Sequence, residues 1–321
     1  MATAPAPLVG ILGSQGIGER LAKHAAQKPE VQSVVTAYGS VDLLVGTIDG
    51  ARFAAAPKSP AAPFPPHQIP YRAALLALRK SGCDRVLSTS VGTSLSDRIR
   101  SADCFLPSDF IDFSGRSVTF FEGGLEGTHH AEMDDPFCPR LVREFLAAAR
   151  SFGMRVVEGG TIATIAGPHQ PTTAEAERLT RAGAVAVNFS AATEAKLARE
   201  LGMCYAGAVI AVRNLPAVGP WRAGVQEEPE AKSAPTEREI LRRIAAGEQV
   251  APPRGAKAPG KGQERGGRSG KQRASPDVEA LGAQLRDVDV RIEEAAAAFV
   301  PQAAQLDPCP RCPRGAGPAW W

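Results

Sequence analysis

The sequence predicts an α/β fold built on a central, mostly parallel or mixed β-sheet. Short apolar runs typical of buried strands alternate along the chain with amphipathic segments of helical period. Glycines end several of these segments, and a T-x-x-E capping pattern at residues 172–175 opens one helix. Strands that alternate with helices place helices against the faces of one sheet.

The elements follow one another in order. Residues 8–12 are an apolar run leading into the glycine turn 13–16, which predicts a buried strand and a tight turn. Residues 54–66 are rich in alanine and proline, and we expect no regular central element there because proline lacks a backbone donor. Residues 89–93 are expected to form a turn of small polar residues. Strands are predicted at residues 8–12, 34–37, 43–48, 85–88, 161–165, 184–189 and 205–212, and helices at residues 71–80, 141–152, 173–182, 194–201 and from 276 onwards.

The segment 110–139 shows no apolar period. It combines aromatic residues, glycines, acids and the pair His129–His130. Long irregular loops are uncommon unless they bind something or are disordered, and the aromatic content argues against disorder. We therefore expect a binding loop, with a packed surface loop as the alternative.

The composition changes at about residue 224. Residues 224–275 are rich in Pro, Gly, Ala and charge, and their second half is basic. Such a segment cannot bury enough apolar surface to offset the entropy of ordering, so we expect a disordered basic insert. The predicted organisation is one domain of residues 1–223 plus 276–303, the insert 224–275, and a flexible tail 304–321.

Composition and charge argue against several classes of protein. The net charge of +3 is too small to indicate nucleic-acid binding by itself. No uninterrupted apolar stretch reaches the roughly 18 residues of a membrane-spanning helix, and the N-terminus is a poor signal peptide. The six cysteines are scattered, which favours the cytoplasm. Cys309 and Cys312 form a C-x-x-C without a partner pair, so we predict no metal site.

Six blocks of the sequence resemble one family in the same order along the chain. They are VGILGSQGIG at 9–18, FPPHQIPYRAALLALRKSGCDRV at 64–86, STSVGTSL at 88–95, FIDFSGRSVTFFEGG…HHAEMDDPFCPRL from 110, GGTIATIAGP at 159–168 and EAKLARELGMCYA at 194–206. The family is that of the trimeric purine nucleoside phosphorylases, in the branch of the methylthioadenosine and methylthioinosine phosphorylases. The resemblance implies a three-layer fold with a central mixed β-sheet flanked by helices, and a homotrimer or hexamer.

The resemblance also implies phosphate-dependent cleavage of the N-glycosidic bond of a purine nucleoside, with phosphate as co-substrate and no cofactor. In the transition state the sugar carries positive charge and the purine negative charge. A site must therefore hold an anion on one side and donate hydrogen bonds to the base on the other. Glycine turns, hydroxyls and basic groups bind phosphate. By resemblance the phosphate-binding residues are Gly13, Ser14, Gln15, Lys58, Thr89, Ser90 and Ser190.

The nucleoside-binding residues are inferred from the same resemblance. Phe189 stands where the family has a methionine under the ribose, and His130 where a neighbouring subunit supplies a histidine over the 5′ end. The residue that recognises the base is either Arg213 or, with a one-residue insertion, Asn214. In the family, Asn at this position goes with 6-oxo purines and Asp with 6-amino purines. We prefer Asn214, because the following residues 215–217 resemble the family's Asn-Pro-Ala.

Several positions depart from the family's pattern. Lys58 stands in place of an Arg-His-Gly clamp, and lysine is a point charge rather than a planar fork. Ala166 replaces a carboxylate or amide that contacts the purine, His169 replaces an arginine, and Gln170 replaces an aromatic residue. His169 remains a candidate for contact with phosphate or base. If each lost contact costs about 2 to 4 kcal/mol, two losses lower the rate by roughly 10³ or more.

Three functions stay open on the sequence alone. The first is a purine (5′-methylthio)nucleoside phosphorylase, and the second is a catalytically degenerate protein of the same fold. The third is an interaction protein that uses its basic insert. We expect a purine nucleoside and phosphate as partners, and neither a membrane nor a nucleic acid.

Overall fold

A mixed sheet of 11 strands organises the part of the chain that the structure describes. The computed structural model describes residues 8–13, 17–58, 65–122, 130–215, 276–307 and 309, with backbone alone for 276–282, 285 and 289. The strands are β1 (Leu8–Gly13), β2 (Glu30–Thr36), β3 (Gly39–Ile48), β4 (Ala51–Pro57), β5 (Cys83–Ser94), β6 (Cys104–Leu106), β7 (Asp109–Phe113), β8 (Val156–Glu158), β9 (Thr161–Ile165), β10 (Ala184–Asn188) and β11 (Cys204–Asn214). The helices are α1 (Ile17–Ala22), α2 (Tyr71–Lys80), α3 (Pro139–Ser151), α4 (Thr173–Arg181), α5 (Ala191–Glu200) and α6 (Pro276–Gln305).

Strand β5 is the centre of the sheet because it pairs with three neighbours. It runs parallel to β1 and β11 and antiparallel to β10. The order continues through β4, β3 and β2 beyond β1, through β9 and β7 beyond β10, and through β6 and β8 beyond β11. Strands β1 and β4 are parallel and end together at Gly13 and Pro57. Because Leu12 pairs with Ser88, both strands end level with the middle of β5.

Helices cover both faces of the sheet, which gives three layers. Leu8 and Leu12 of β1 pack in the same apolar cluster as α2 and α5. Val9 and Ile11, which point the other way, pack with α1, α3 and α6. Successive strand residues point to opposite faces, so a strand buried on both sides reads as one apolar run. The predicted α/β fold with a mixed sheet flanked by helices is confirmed.

Helix α6 covers the face of the sheet on which α1 and α3 also pack. Phe299 is 0% exposed and lies with its ring centroid 6.0 Å from that of Phe145 in α3. All described residues fall within one compact unit. In the described ranges, no helix combines the length and the apolar character that crossing a bilayer requires. The predicted insert 224–275 lies outside the described residues.

The expectation for residues 54–66 was wrong at its start. Residues 51–57 form β4, which pairs in parallel with β1 near the middle of the sheet. The prolines begin only at Pro57, so the N–H groups of residues 51–56 remain available for the ladder. Phe53 and the three alanines that follow are at most 1% exposed. The small alanine side chains fit where the sheet is covered on both faces.

Two further expectations were wrong about where strands end. Residues 89–93 are not a turn, because β5 continues through them to Ser94 with β11 paired alongside. A Cβ atom on Gly92 would lie 2.8 Å from the carbonyl oxygen of Val187, so glycine permits the close approach of β10. The irregular segment 110–139 begins with strand β7, which pairs with β9 at the edge of the sheet. Its described remainder up to Cys138 contains neither helix nor strand.

Candidate active site

The ends of β1 and β4 bring the first predicted phosphate residues together. The N–H of Lys58 donates a hydrogen bond of 2.8 Å to the carbonyl oxygen of Gly13. A Cβ atom on Gly13 would lie 2.8 Å from Oγ1 of Thr89, so the hydroxyl of Thr89 sits against the bare glycine backbone. Gly13, Lys58 and Thr89 therefore lie together at one corner of the candidate site. Ser14 and Gln15 lie outside the described residues.

A buried asparagine connects this corner to Ser190. Asn188 ends β10 and is 2% exposed. Its Nδ2 donates to Oγ of Ser90 at 3.3 Å, and its Oδ1 accepts from the N–H groups of Ser190 and Ala191 at 3.3 and 3.2 Å. Ser190 precedes α5, but its hydroxyl makes no capping bond. The same asparagine thus bonds to the hydroxyl of Ser90 and to the backbone of Ser190, and the hydroxyl of Ser190 does not cap the helix.

Sequence reasoning missed Asn188. The sequence feature that could have identified it is an asparagine at the end of a buried strand, directly before a helix. At such a position a short polar side chain can bond to nearby backbone N–H groups. Thr164 acts in the same way, because its Oγ1 accepts from the N–H of Ala192 at 3.0 Å. The first N–H groups of α5 are therefore satisfied by protein side chains.

A buried carboxylate pairs with the lysine of the site. Oε1 of Glu194, which is 0% exposed, lies 2.8 Å from Nζ of Lys58, itself 8% exposed. The other oxygen of Glu194 accepts hydrogen bonds from Ser88 at 2.5 Å and from Tyr205 at 2.7 Å. Burial, and then the negative charge of Glu194, raise the pKa of the Tyr205 hydroxyl well above its usual value. Tyr205 therefore stays protonated and donates to the carboxylate.

The ring of Phe189 rests on a glycine. Gly167 has a φ of +66°, and a Cβ atom there would lie 2.8 Å from Cδ1 of Phe189. Both the left-handed backbone and the close ring therefore require glycine at this position. Phe189 is half-buried, as a floor that is open on one side would be.

Arg116 holds the segments around Phe189. Its guanidinium donates to the carbonyl oxygen of Phe189 at 2.6 Å and to that of Ala166. Its Cζ atom lies 5.8 Å from the ring centroid of Tyr71 in α2. Burial, followed by the charge of Glu194, raises the pKa of Tyr71. Arg116 was not predicted, because an arginine in an irregular loop has no periodic signal.

An open cavity adjoins this cluster. Its volume is about 420 Å³, and Tyr71, Arg116, Tyr38 and Val118 are among the residues that line it. Pockets for small ligands typically enclose about 300 to 1,000 Å³. Thr89 and Ser190 do not line this cavity; it meets the site through Arg116, which reaches both Phe189 and Ala166.

Comparison with known proteins identifies the family. A sequence model described as the phosphorylase superfamily matches residues 8–246. The chain belongs to the phosphorylase superfamily. The resemblance drawn from the sequence blocks is thereby confirmed.

Relatives within this superfamily carry related names. The chain is 37% identical over 204 residues, or 62% of its own length and 76% of the relative's, to an S-methyl-5′-thioadenosine phosphorylase of Pyrococcus horikoshii. It is 33% identical over 223 residues, or 68% and 76%, to a probable S-methyl-5′-thioinosine phosphorylase of Methanothermobacter thermautotrophicus. A methylthioadenosine phosphorylase from Schistosoma mansoni, solved with tubercidin, superposes with a TM-score of 0.68 at 21% identity, covering 94% of this chain and 93% of the other. At that identity the structural match speaks for the fold alone.

The two candidate base readers of this phosphorylase-superfamily chain lie at the far end of β11. Arg213 pairs with Thr93 and Asn214 with Ser94, and both side chains are exposed. Thr93 lies four residues, or about 13 Å, along β5 from Thr89. The candidate base end and the candidate phosphate end are therefore separated along one strand.

Residues 166–170, the altered Gly-Pro block of this superfamily member, lie between the candidate phosphate end and the candidate base end. Ala166 lies at the Phe189 end through its bond to Arg116. At the other end, the hydroxyl of Thr93 donates to Oε1 of Gln170 at 2.8 Å. His169 is exposed, with Nδ1 3.1 Å from the carbonyl oxygen of Gln170. Gln170, which stands in place of an aromatic residue, is thus fixed to the sheet.

His130 stands apart from these groups. It is exposed and begins the described stretch that leads to α3. By the family resemblance it would contribute to a neighbouring subunit's site.

Proposed function

We propose that this chain is a purine nucleoside phosphorylase that acts on a 5′-methylthionucleoside. An oxygen of inorganic phosphate forms a bond to C1′ of the ribose while the bond from C1′ to the purine nitrogen breaks. The products are the free purine and methylthioribose 1-phosphate. The observation that carries the proposal is that three separate parts of the chain meet: Gly13 at the end of β1 lies against Thr89 in the middle of β5, and Asn188 at the end of β10 bonds to both Ser90 and Ser190.

Hydroxyl groups are the principal phosphate ligands in this proposal. The first N–H groups of α5 are already bonded to Asn188 and Thr164, so they are not available to an anion. Thr89, Ser90 and Ser190 instead offer hydroxyl donors, and Gly13 lets an anion approach the backbone. Lys58 adds positive charge that it shares with Glu194. The proposed reaction needs phosphate as co-substrate and no cofactor.

The nucleoside would extend along β5 from this corner. Phe189 supplies an apolar surface for the ribose, and Arg116 fixes the two segments that carry Phe189 and Ala166. The purine would then reach towards Asn214 or Arg213. Both 6-oxo and 6-amino purines remain candidate bases, because relatives named for each show comparable identity to this chain.

The assembly that we propose is a homotrimer, with a hexamer as the alternative. It is supported by the exposed position of His130, which the family resemblance assigns to a neighbour's site. The mass of the protein in solution, measured by light scattering, distinguishes these states from a monomer. The cytoplasmic location inferred from cysteine use stays a prediction.

A catalytically degenerate protein is not favoured. One buried asparagine bonds to the hydroxyl of Ser90 and to the backbone N–H of Ser190, and Lys58 is buried beside the carboxylate of Glu194. The interaction function proposed for residues 224–275 lies outside the described residues.

The test is a panel of purine nucleosides incubated with and without inorganic phosphate. Liberated base is measured by chromatography. We expect adenine from methylthioadenosine or hypoxanthine from methylthioinosine, in amounts that require phosphate. Arsenate in place of phosphate should also support release, since it is an oxyanion of similar shape. Release without any oxyanion would indicate a hydrolase, and no release from any nucleoside would refute the proposal.

A further inference from the structure

Three cysteines from distant parts of the chain meet at one point. Cys138 directly precedes α3, Cys204 begins β11, and Cys309 follows α6. Their sulfur atoms all lie within 4.8 Å of one another. In the sequence, the nearest cysteine to Cys309 is Cys312. The fold brings two more, Cys138 and Cys204, close to Cys309.

The sulfur spacing suits a tetrahedral metal ion. The edge of a tetrahedron of thiolates around zinc is about 3.8 Å, since Zn–S bonds are about 2.3 Å. The Sγ atoms of Cys138 and Cys309 are 3.8 Å apart. With all separations below 4.8 Å, closing the set onto an ion needs shifts of no more than about 1 Å. A disulfide needs a shorter separation of about 2.05 Å, hence a larger movement of any pair.

The surroundings have room and compensating charge. The cluster lines a cavity of about 20 Å³, and roughly 10 to 15 Å³ is enough for one water molecule. Arg85, which is 5% exposed, borders the same cavity and pairs with Asp84. Three thiolates around a divalent ion carry a net charge of about −1, so a buried guanidinium beside them lowers the cost of burying that charge.

Two arginines hold the segment that carries Cys309. Nη1 of Arg85 donates to the carbonyl oxygens of Ala303 and Leu306, the latter at 2.9 Å. Nη1 of Arg140 donates to the carbonyl oxygen of Asp307 at 3.0 Å. Carbonyls at a helix end have no partner within the helix, and basic side chains commonly satisfy them. These hydrogen bonds, made by arginines of β5 and α3, position the residues after α6 so that Cys309 lies beside Cys138 and Cys204.

We propose that Cys138, Cys204 and Cys309 bind a zinc ion. The ion replaces the thiol protons, and water or another donor completes the tetrahedron. Its role is structural, because Cys204 pairs with Arg85, four residues or about 13 Å along β5 from Thr89. The ion ties the segment after α6 to the start of α3 and to the sheet. Cys312 lies outside the described residues, and the proposal does not depend on it.

The test measures metal binding directly. The full chain, without an affinity tag, is purified with a thiol reductant and no chelator, and zinc is counted by elemental mass spectrometry. We expect about one zinc per chain. After removal of zinc, titration with Co²⁺ should produce the thiolate-to-metal charge-transfer band and the strong visible bands of a tetrahedral site. Zn²⁺ should then displace the Co²⁺ and abolish both.

Variants make the test specific. Cys309→Ser and Cys204→Ser should each weaken Co²⁺ binding by more than about 100-fold, because even changes to groups behind the ligands cost 10- to 100-fold. Cys104→Ala is the matched control: Cys104 is 0% exposed, and it pairs with Ile210, six residues or about 20 Å along β11 from Cys204. That control should keep the full spectrum.

Stability gives a second readout. Zn²⁺ should raise the Tm of the wild type and of Cys104→Ala, and leave that of Cys309→Ser unchanged. The proposal is overturned if the reduced wild type gives no charge-transfer band, or if Cys309→Ser gives the same band. A disulfide between any two of the three cysteines, found by peptide mapping of protein alkylated at lysis, would also overturn it. None of these readouts depends on phosphorolysis.

Discussion

Replacing Glu194 with glutamine should destabilise the protein strongly. The two side chains have nearly the same shape, so the change removes charge and little else. The ammonium of Lys58, which is 8% exposed, would then be buried without a counter-ion. The amide oxygen can still accept hydrogen bonds from Ser88 and Tyr205, so the loss falls mainly on the ion pair.

The magnitude follows from the geometry of the pair. At the observed 2.8 Å, two unit charges attract by about 6 kcal/mol at an effective dielectric constant of about 20. Removing one partner of a buried ion pair costs about 3 to 5 kcal/mol in measured cases. For a domain of this size each kcal/mol corresponds to about 2 to 4 °C, so we expect Tm to fall by about 6 to 20 °C.

The assay is thermal and urea unfolding of Glu194→Gln beside a matched control. Asp287→Asn removes a carboxylate from an exposed ion pair with Arg291 on α6, and should cost less than about 0.5 kcal/mol. The double variant Lys58→Met, Glu194→Gln should recover part of the loss, because the unpaired charge is gone. If Glu194→Gln costs no more than Asp287→Asn, the reasoning about the buried pair is refuted.

The same variant tests the place of Lys58 in the phosphate site. Without Glu194 the ammonium has no competing anion. Phosphate should therefore raise the Tm of Glu194→Gln by more than it raises that of the wild type. Equal increments would put Lys58 outside the phosphate site.

Three further predictions concern substrate binding. Ser190→Ala should raise the KM for phosphate by about 5- to 150-fold, since one hydrogen bond to a charged group is worth about 1 to 3 kcal/mol; an unchanged phosphate affinity would remove Ser190 from the site. Asn214→Asp should shift preference from 6-oxo to 6-amino purines, measured as the ratio of hypoxanthine to adenine released; an unchanged ratio would point to Arg213 or to no base reader. Arg116→Lys cannot reproduce a planar fork across two carbonyls, so the KM for nucleoside should rise by about 5-fold or more while that for phosphate stays constant, and an equal rise in both would contradict its assignment to the nucleoside side.

The sequence predicts strands well where apolar residues dominate both faces, as in β1 and β10. It fails at β4, because alanine has low strand propensity and the nearby prolines suggest a loop. It also ends β5 too early, because small polar residues at 89–93 look like a turn unless the neighbouring strands are known. In both cases the neighbours in the sheet override local preference.

Site residues that belong to a recognisable motif could be predicted from the sequence. Contacts between side chains that are far apart in the sequence could not. Ser88 and Glu194 are 106 positions apart, and Cys138 and Cys309 are 171 apart. No local pattern marks such contacts, because the chain's path alone brings them together. Asn188 is an intermediate case, since its place before a helix is visible but its bridge to Ser90 is not.

Helix α6 has a consequence for how the protein is made. A ribosome synthesises it after every other described helix and strand, including all the residues proposed to bind substrate. Until α6 emerges, the apolar side chains of α3 around Phe145 lack the packing that Phe299 and its neighbours provide. A nascent chain that stalls between residues 216 and 275 would thus contain the proposed binding residues. It would still expose an apolar surface that chaperones and proteases recognise.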